Sequence, residues 1–247
     1  LVTKHVTMMT LDDAEHYTPA QRKAIIDGLP EHEREARTKG LPALGSGLVF
    51  PVTDASIECD PIAIPDHWPR GNGLDFGYNH PFGSVSCAWD RDADRIYVAA
   101  EYREEKQGPI IHSAAIKPWG DWIPCFWPHD GHQHDKGGSN EALAGQYGAQ
   151  GLTMHADHAT HEEGGYGTEA GITEMLERMN TGRLKVFKSL GMWFAEKRGY
   201  HRKNGLIVKE RDDLMSATRI AIMMRRFWII KPVRRSRSVG RAGGWLG

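Results

Sequence analysis

Two periods of apolar residues run along this chain, and the change from one to the other organises it. From Gly73 the alternation of strands comes first. Leu74–Tyr78, Ser84–Trp89 and Arg95–Glu101 are apolar runs, and Asp90-Arg91-Asp92-Ala93-Asp94 supplies a turn between the last two. Together they predict an antiparallel meander. Helix spacing then alternates with short apolar runs. Pro109–Lys117 predicts a helix, Ile123–Pro128 a strand ending at His129-Asp130, and Ser139 the cap of a helix through Gln150. Leu152–His155 predicts a strand, and Gly167–Thr181 a helix with Ile172, Met175, Leu176 and Met179 at helical spacing. Strands at Arg183–Lys188 and Leu206–Val208 flank a helix around Met192–Arg198, and Asp212–Arg226 is the last helix. The expected fold is α/β: a mixed sheet of five or more strands flanked by helices.

The first 70 residues read as a connector. Thr18-Pro19 opens a short helix with Thr18 as N-cap, and Pro30–Arg37 is a second, highly charged helical piece. Residues 40–69 are rich in Gly and Pro, with one strand expected at Leu48-Val49-Phe50. The expected units are therefore a connector (1–70), an α/β domain (71–226) and a basic tail (227–247). The chain starts at Leu1 rather than Met, so it is expected to be a piece of something longer. Its opening residues lack the apolar region of a secretory signal, and no apolar run approaches the roughly 18–20 residues of a membrane span. Cys59, Cys87 and Cys125 are scattered and odd in number, which argues against a disulfide framework and a zinc knuckle.

Net charge is −1, but it is unevenly spread. After Asp213 no acid occurs, while Arg219, Arg225, Arg226, Lys231, Arg234, Arg235, Arg237 and Arg241 add +8, leaving −9 for the rest. Such an arm suits a polyanion or an acidic partner surface, and would otherwise be a solvated tail.

Three acidic positions stand out. Asp75 sits inside Gly73-Leu74-Asp75-Phe76-Gly77-Tyr78, where alternation sends it to the opposite face from Leu74 and Phe76. A carboxylate on a buried strand is costly unless it is paired or holds a metal. Asp130 follows a central strand at the edge where open α/β sheets bind ligands, though His-Asp-Gly also suits a plain turn. Asp213 shares a helix face with Ala217, Ile220, Ala221 and Met224 and so points to the sheet's end; Asp212 leans toward solvent, where it would cap the helix or assist.

Gly-Leu-Asp-Phe-Gly-Tyr, Trp-Pro-His-Asp-Gly and Val-Lys-Glu-Arg-Asp-Asp-Leu-Met-Ser-Ala-Thr-Arg, in this order, resemble the C-terminal nuclease domain of large terminase subunits from tailed bacteriophages, over about residues 70–226. The resemblance implies a ribonuclease H-like fold, with Asp75 and Asp130 on neighbouring central strands and Asp213 completing the cluster. Glu101, on the third strand, would be an alternative acid. It also implies two divalent ions (Mg or Mn) held by Asp75, Asp130, Asp213 and Asp212, and endonucleolytic cutting of concatemeric viral double-stranded DNA during packaging. Lys136, Lys209, Arg211 and Arg219 would then be candidates for phosphate contacts. The implied partners are DNA, the portal protein, the small terminase subunit and an ATPase domain of the same full-length chain, in the host cell cytoplasm. Residues 31–37 and 45–50 resemble the connector that follows that ATPase domain. No Gly-x-x-x-x-Gly-Lys-[Ser/Thr] occurs here, so no P-loop ATPase is expected in this chain.

Three rival readings remain. A resolvase or transposase would share the fold. His129-Asp130-Gly131-His132-Gln133-His134-Asp135 and His155–Glu162 would suit a zinc hydrolase, although the spacing departs from a His-x-His-x-Asp-His loop. A non-catalytic module would instead use its basic tail to dock on the portal or DNA.

Overall fold

The computed structural model describes residues 10–29 (apart from 12 and 15), 34, 38, 47–132 (apart from 79), 142–203 and 205–233. Helix α1 (Pro19–Asp27) starts where the sequence places it, and α2 (Asp54–Ile57) is a single turn that leads into the sheet. Thr18 accepts from the Gln21 N–H while the Gln21 side chain accepts from the Thr18 N–H, which satisfies both backbone donors. The expected helix at Pro30–Arg37 lies largely outside the described residues.

Seven strands form one mixed sheet: β1 (Glu58–Cys59), β2 (Arg70–Asp75), β3 (Phe82–Asp90), β4 (Arg95–Glu104), β5 (Pro124–Phe126), β6 (Thr153–Met154) and β7 (Leu184–Phe187). Their spatial order is β1-β7-β4-β3-β2-β5-β6. The meander β2-β3-β4 is antiparallel, while β5 runs parallel to β2, and β7 parallel to β4. The ends of β2, β4 and β5 and the start of β3 therefore share one edge of the sheet.

Both faces are covered, as a mixed sheet requires. Leu74, Phe76 and Phe82 pack with Ile116 of α3 (Pro109–Ile116) and Tyr147 of α4 (Leu143–Ala149). On the other face Val85, Cys87 and Val98 meet α5 (Thr168–Asn180), α6 (Gly191–Gly199) and α7 (Asp213–Met223) through Met175, Trp193, Ala217 and Ile220. Helix α7 lies directly on the meander. A Cβ on Gly73 would overlap the Ala217 carbonyl, and one on Gly83 would fall 2.7 Å from the Asp213 carbonyl oxygen.

Several expectations need revision. The strand expected at Leu74–Tyr78 is β2, shifted toward the N-terminus, so Asp75 is its last residue rather than its middle. It stops there because the chain turns at Gly77, where a Cβ would collide with the carbonyls of His80 and Pro81. Leu48–Phe50 is no strand; only Leu48 forms an isolated bridge, to His201. Val49, Phe50, Val52 and Ile57, assigned to the connector, lie in the α7-side core, and the sheet's edge strand β1 follows them. Leu206–Ile207 (β9) pairs with Arg202–Lys203 (β8) in a separate two-stranded hairpin and does not join the main sheet. The helix expected from Ser139 is described only from Leu143, and Ser139 lies outside the described residues.

Candidate active site

Four acids meet at the shared edge. Asp75 ends β2 with its side chain on the α7 face, as alternation requires. Asp130 lies four residues past β5, in a 3₁₀ turn (His129–His132). The parallel pairing of β2 and β5 brings these two chain segments side by side. Asp213 opens α7 and is buried, and Asp212 precedes it as a half-buried N-cap whose side chain makes no capping hydrogen bond. The simple capping role of Asp212 is thus not formed.

Electrostatics show how closely the acids face one another. Burial, then the charges of Asp130, Asp212 and Asp213, push the Asp75 carboxyl well above its usual range, against the pull of Arg219. Burial also raises Asp130, opposed by backbone N–H groups and by His80 and His129. Burial and the Asp213 charge raise Asp212. Like charges in a desolvated site resist joint ionisation, and nearby positive charge or hydrogen-bond donors relieve them.

Further residues belong to this edge that the sequence reading passed over. Arg103 on β4 stands in the same cross-strand row as Gly83 and Asp75. It reaches Asp213 and Glu196, a buried acid on α6. His80, in the exposed β2–β3 turn, lies 3.4 Å from Asp213 Oδ1 through Nδ1. Glu196 did carry a signal. It lies one helical turn after Trp193 on the stripe that also buries Lys197, where an unpaired acid would be expensive.

Glu101, the alternative acid, lies one row further from the edge, in register with Val85. Its carboxylate accepts from the Met192 and Trp193 N–H groups at 3.1 and 2.6 Å, so it caps α6. Arg219 is half-buried and acts on Asp75, Tyr200 and Asp212; burial lowers its pKa and its Nε has no hydrogen-bond partner. Lys209 and Arg211 are exposed just before Asp212, and Arg211 holds φ +54°, a left-handed conformation that is uncommon for a non-glycine residue. Lys136 lies outside the described residues, as do His134, Asp135 and the tail from residue 234.

The described histidines gather in close pairs. His132 Nε2 and His158 Nδ1 are 3.1 Å apart, and His129 stacks on Tyr166. Among the described residues, no three His, Cys, Asp or Glu side chains converge in ligating geometry. That also holds for the acids, whose fit to a metal rests on the donor set. They offer carboxylate oxygens alone, and Asp130 Oδ1 is buried without a hydrogen-bond partner. Such donors suit a hard divalent cation. Among the described residues no helix is long and apolar enough to cross a membrane.

A family model described as the terminase RNaseH-like domain matches residues 72–225. The chain is 46% identical over 226 residues, 91% of its length, to the large terminase subunit of Salmonella phage P22, and 46% identical over 224 residues to that of Enterobacteria phage LP7. It spans 45% and 47% of those relatives, about half of each. The solved P22 large terminase nuclease domain aligns with a TM-score of 0.71 at 44% identity, covering 76% of this chain and 96% of that one. The large terminase of a thermophilic bacteriophage shares the fold at 13% identity, with a TM-score of 0.56 over 85% of this chain and 53% of its own. With its seven-stranded sheet, helices on both faces and acids gathered at one edge, the chain belongs to the terminase RNaseH-like domain family, as a nuclease domain of the large subunit.

Proposed function

We propose that this domain is a divalent-cation-dependent endonuclease that cuts concatemeric viral double-stranded DNA during genome packaging. The observation that carries the reading is the gathering of Asp75, Asp130, Asp212 and Asp213 at one sheet edge, where burial raises three of the four carboxyls above their ordinary value. Those four residues would hold two ions, Mg or Mn, which when bound supply Lewis-acid chemistry for phosphodiester hydrolysis.

The protein's own groups have distinct tasks. Asp75 presents a carboxylate from the end of β2, Asp130 one from the turn that follows the parallel strand β5, and Asp213 a third from the first turn of α7. Lys209 and Arg211, exposed beside Asp212, would make phosphate contacts that set register without reading sequence. Lys136 has the same proposed task. Arg219, half-buried, offsets acid charge at the site and leaves little of itself for DNA. The proposed partners are DNA, an ATPase domain of the same full-length chain, the portal protein and the small terminase subunit, in the host cell cytoplasm.

The test is supercoiled plasmid incubated with the domain in Mg²⁺, Mn²⁺ or chelator, beside an Asp75→Asn variant. Cation-dependent nicking and linearisation that the variant lacks is the expected result. Equal cutting by both proteins would remove Asp75 from the site. A domain that binds DNA and cuts in no cation would favour the docking module.

A further inference from the structure

Arg103 is a cation at this edge with no task in the proposed reaction. The row Asp75–Gly83–Arg103 runs across three strands, so the arginine stands two strands from the first acid on the same face. Gly83 between them carries no side chain, which lets the start of α7 settle against β3. The Arg103 Nε–H donates to Asp213 Oδ2 at 2.9 Å. The same nitrogen lies 2.7 Å from Glu196 Oε1, a charge contact outside hydrogen-bond geometry that leaves this oxygen buried without a hydrogen bond. Glu196 Oε2 accepts from the Leu214 N–H at 2.7 Å, which ties α6 to the first turn of α7. The side chains of Asp213 and Glu196 are only 6% and 5% exposed. Two carboxylates so far from water share one guanidinium, and without it Asp213 would keep only the exposed His80, and Glu196 only backbone N–H groups, that of Leu214 foremost.

We propose that Arg103 is the site's own counter-cation: it compensates Asp213 and Glu196 while no divalent ion is bound, and by the same charge it opposes ion binding. The inference rests on the reading of the acid cluster as a cation site. Two cations that offset the same acids are coupled unfavourably. By linkage, removing one must tighten binding of the other by the factor that the pair had cost. Glu196, outside the proposed ligand set, anchors the guanidinium against α7. A merely structural arginine would lack this coupling, because its loss would cost the same whether Asp213 is charged or neutral.

The test uses the whole 247-residue chain at pH 8.5, above the value of about 8 to which burial raises Glu196: thermal unfolding in chelator and calorimetric titration with Mn²⁺, for wild type, Arg103→Gln, Arg103→Lys and the Arg103→Gln/Asp213→Asn double variant. In chelator, Arg103→Gln should lower Tm by on the order of 10 °C, the scale of a broken buried pair in a domain this size. Adding Asp213→Asn should recover at least half of the loss. Arg103→Gln should bind Mn²⁺ about 5-fold tighter or more, and Arg103→Lys should stay near wild type. No recovery in the double variant, or unchanged or weaker Mn²⁺ binding by Arg103→Gln, would overturn the proposal. If Arg103→Gln fails to fold, Glu196→Gln decides. With Arg103 left undivided for Asp213, it should weaken Mn²⁺ binding, and equal or tighter binding overturns the idea. A wild type that takes up no Mn²⁺ would refute the cation-site reading, while recovery in chelator would still judge the counter-cation.

Discussion

Two clusters of acids sit at opposite ends of the central meander, and they are solved in opposite ways. At the β3–β4 turn, Asp94 accepts from Trp89 at 3.0 Å, Arg178 at 3.3 Å and Arg183 at 2.6 Å. Burial works against this carboxylate, yet those donors win and its pKa falls below the ordinary value. At the other end Asp75, Asp130 and Asp212 face one another and titrate high, with Arg219 partly offsetting Asp75. An acid that serves the fold is supplied with enough cations from neighbouring strands and helices. A cluster that is left short of positive charge is where the proposed cation would supply what the fold does not.

The comparison is easiest to break at the acid edge. Asp75→Asn should reduce cation-dependent plasmid cutting by more than about 100-fold, beyond what even outer-shell partners of a metal contribute. Its Tm in chelator should hold or rise, since a repelled charge is lost. A variant that cuts normally would equate the two ends. At the other end, Arg178→Ala should cost about 2 kcal/mol, below a fully buried pair because Asp94 is 40% exposed, and lower Tm by roughly 4–8 °C. Cutting measured well below the new Tm should be unchanged, and loss of cutting there would tie the turn to the site.

Opposite pH dependences sharpen the contrast further. Burial raises Glu196 to about 8 from an ordinary 4.5, against the Leu214 N–H and Arg103. Between those values the folded domain binds more protons than the unfolded chain, so this group makes stability fall as pH rises. Asp75, Asp130 and Asp212 act in the same sense. Asp94 behaves in reverse: its contribution is present above an unfolded value of 3.8 and is lost as pH drops below that. In chelator, Tm should therefore be lower at pH 8.5 than at pH 6, and Mn²⁺ should narrow the gap because it takes the deprotonated acids. A Tm that climbs over that interval would contradict the raised acids. The smallest effect belongs to Glu101→Gln. Weakening the α6 cap should cost about 1 kcal/mol by unfolding and leave cutting within about threefold. A large loss of cutting would return Glu101 to the site.

Local rules account for much of what could be read beforehand. Alternation along Leu74-Asp75-Phe76 assigns Asp75 to the face away from Leu74, and the structure has Leu74 and Phe76 in the α3–α4 core. Helical spacing from Asp213 to Ile220 turns that acid inward, and it is buried. The strand boundaries were less legible. The turn at Gly77 is set by close contact with His80 and Pro81, which no apolar period records.

The sequence by itself determined most of the element types, the Thr18 cap, the inward face of α7 and the family, because each depends on residues within a few positions of one another or on short motifs. Tertiary structure decided which acids meet. Asp75 and Asp130 are neighbours only because β2 and β5 pair in parallel, and Glu101 serves α6 because its register lies one row below Arg103. Arg103 reaches Asp213 across 110 positions of chain, where the bare Gly83 lets the start of α7 settle against β3. Charge interactions act through space and depend on burial, so an acid's partner is settled only when strands and helices pack.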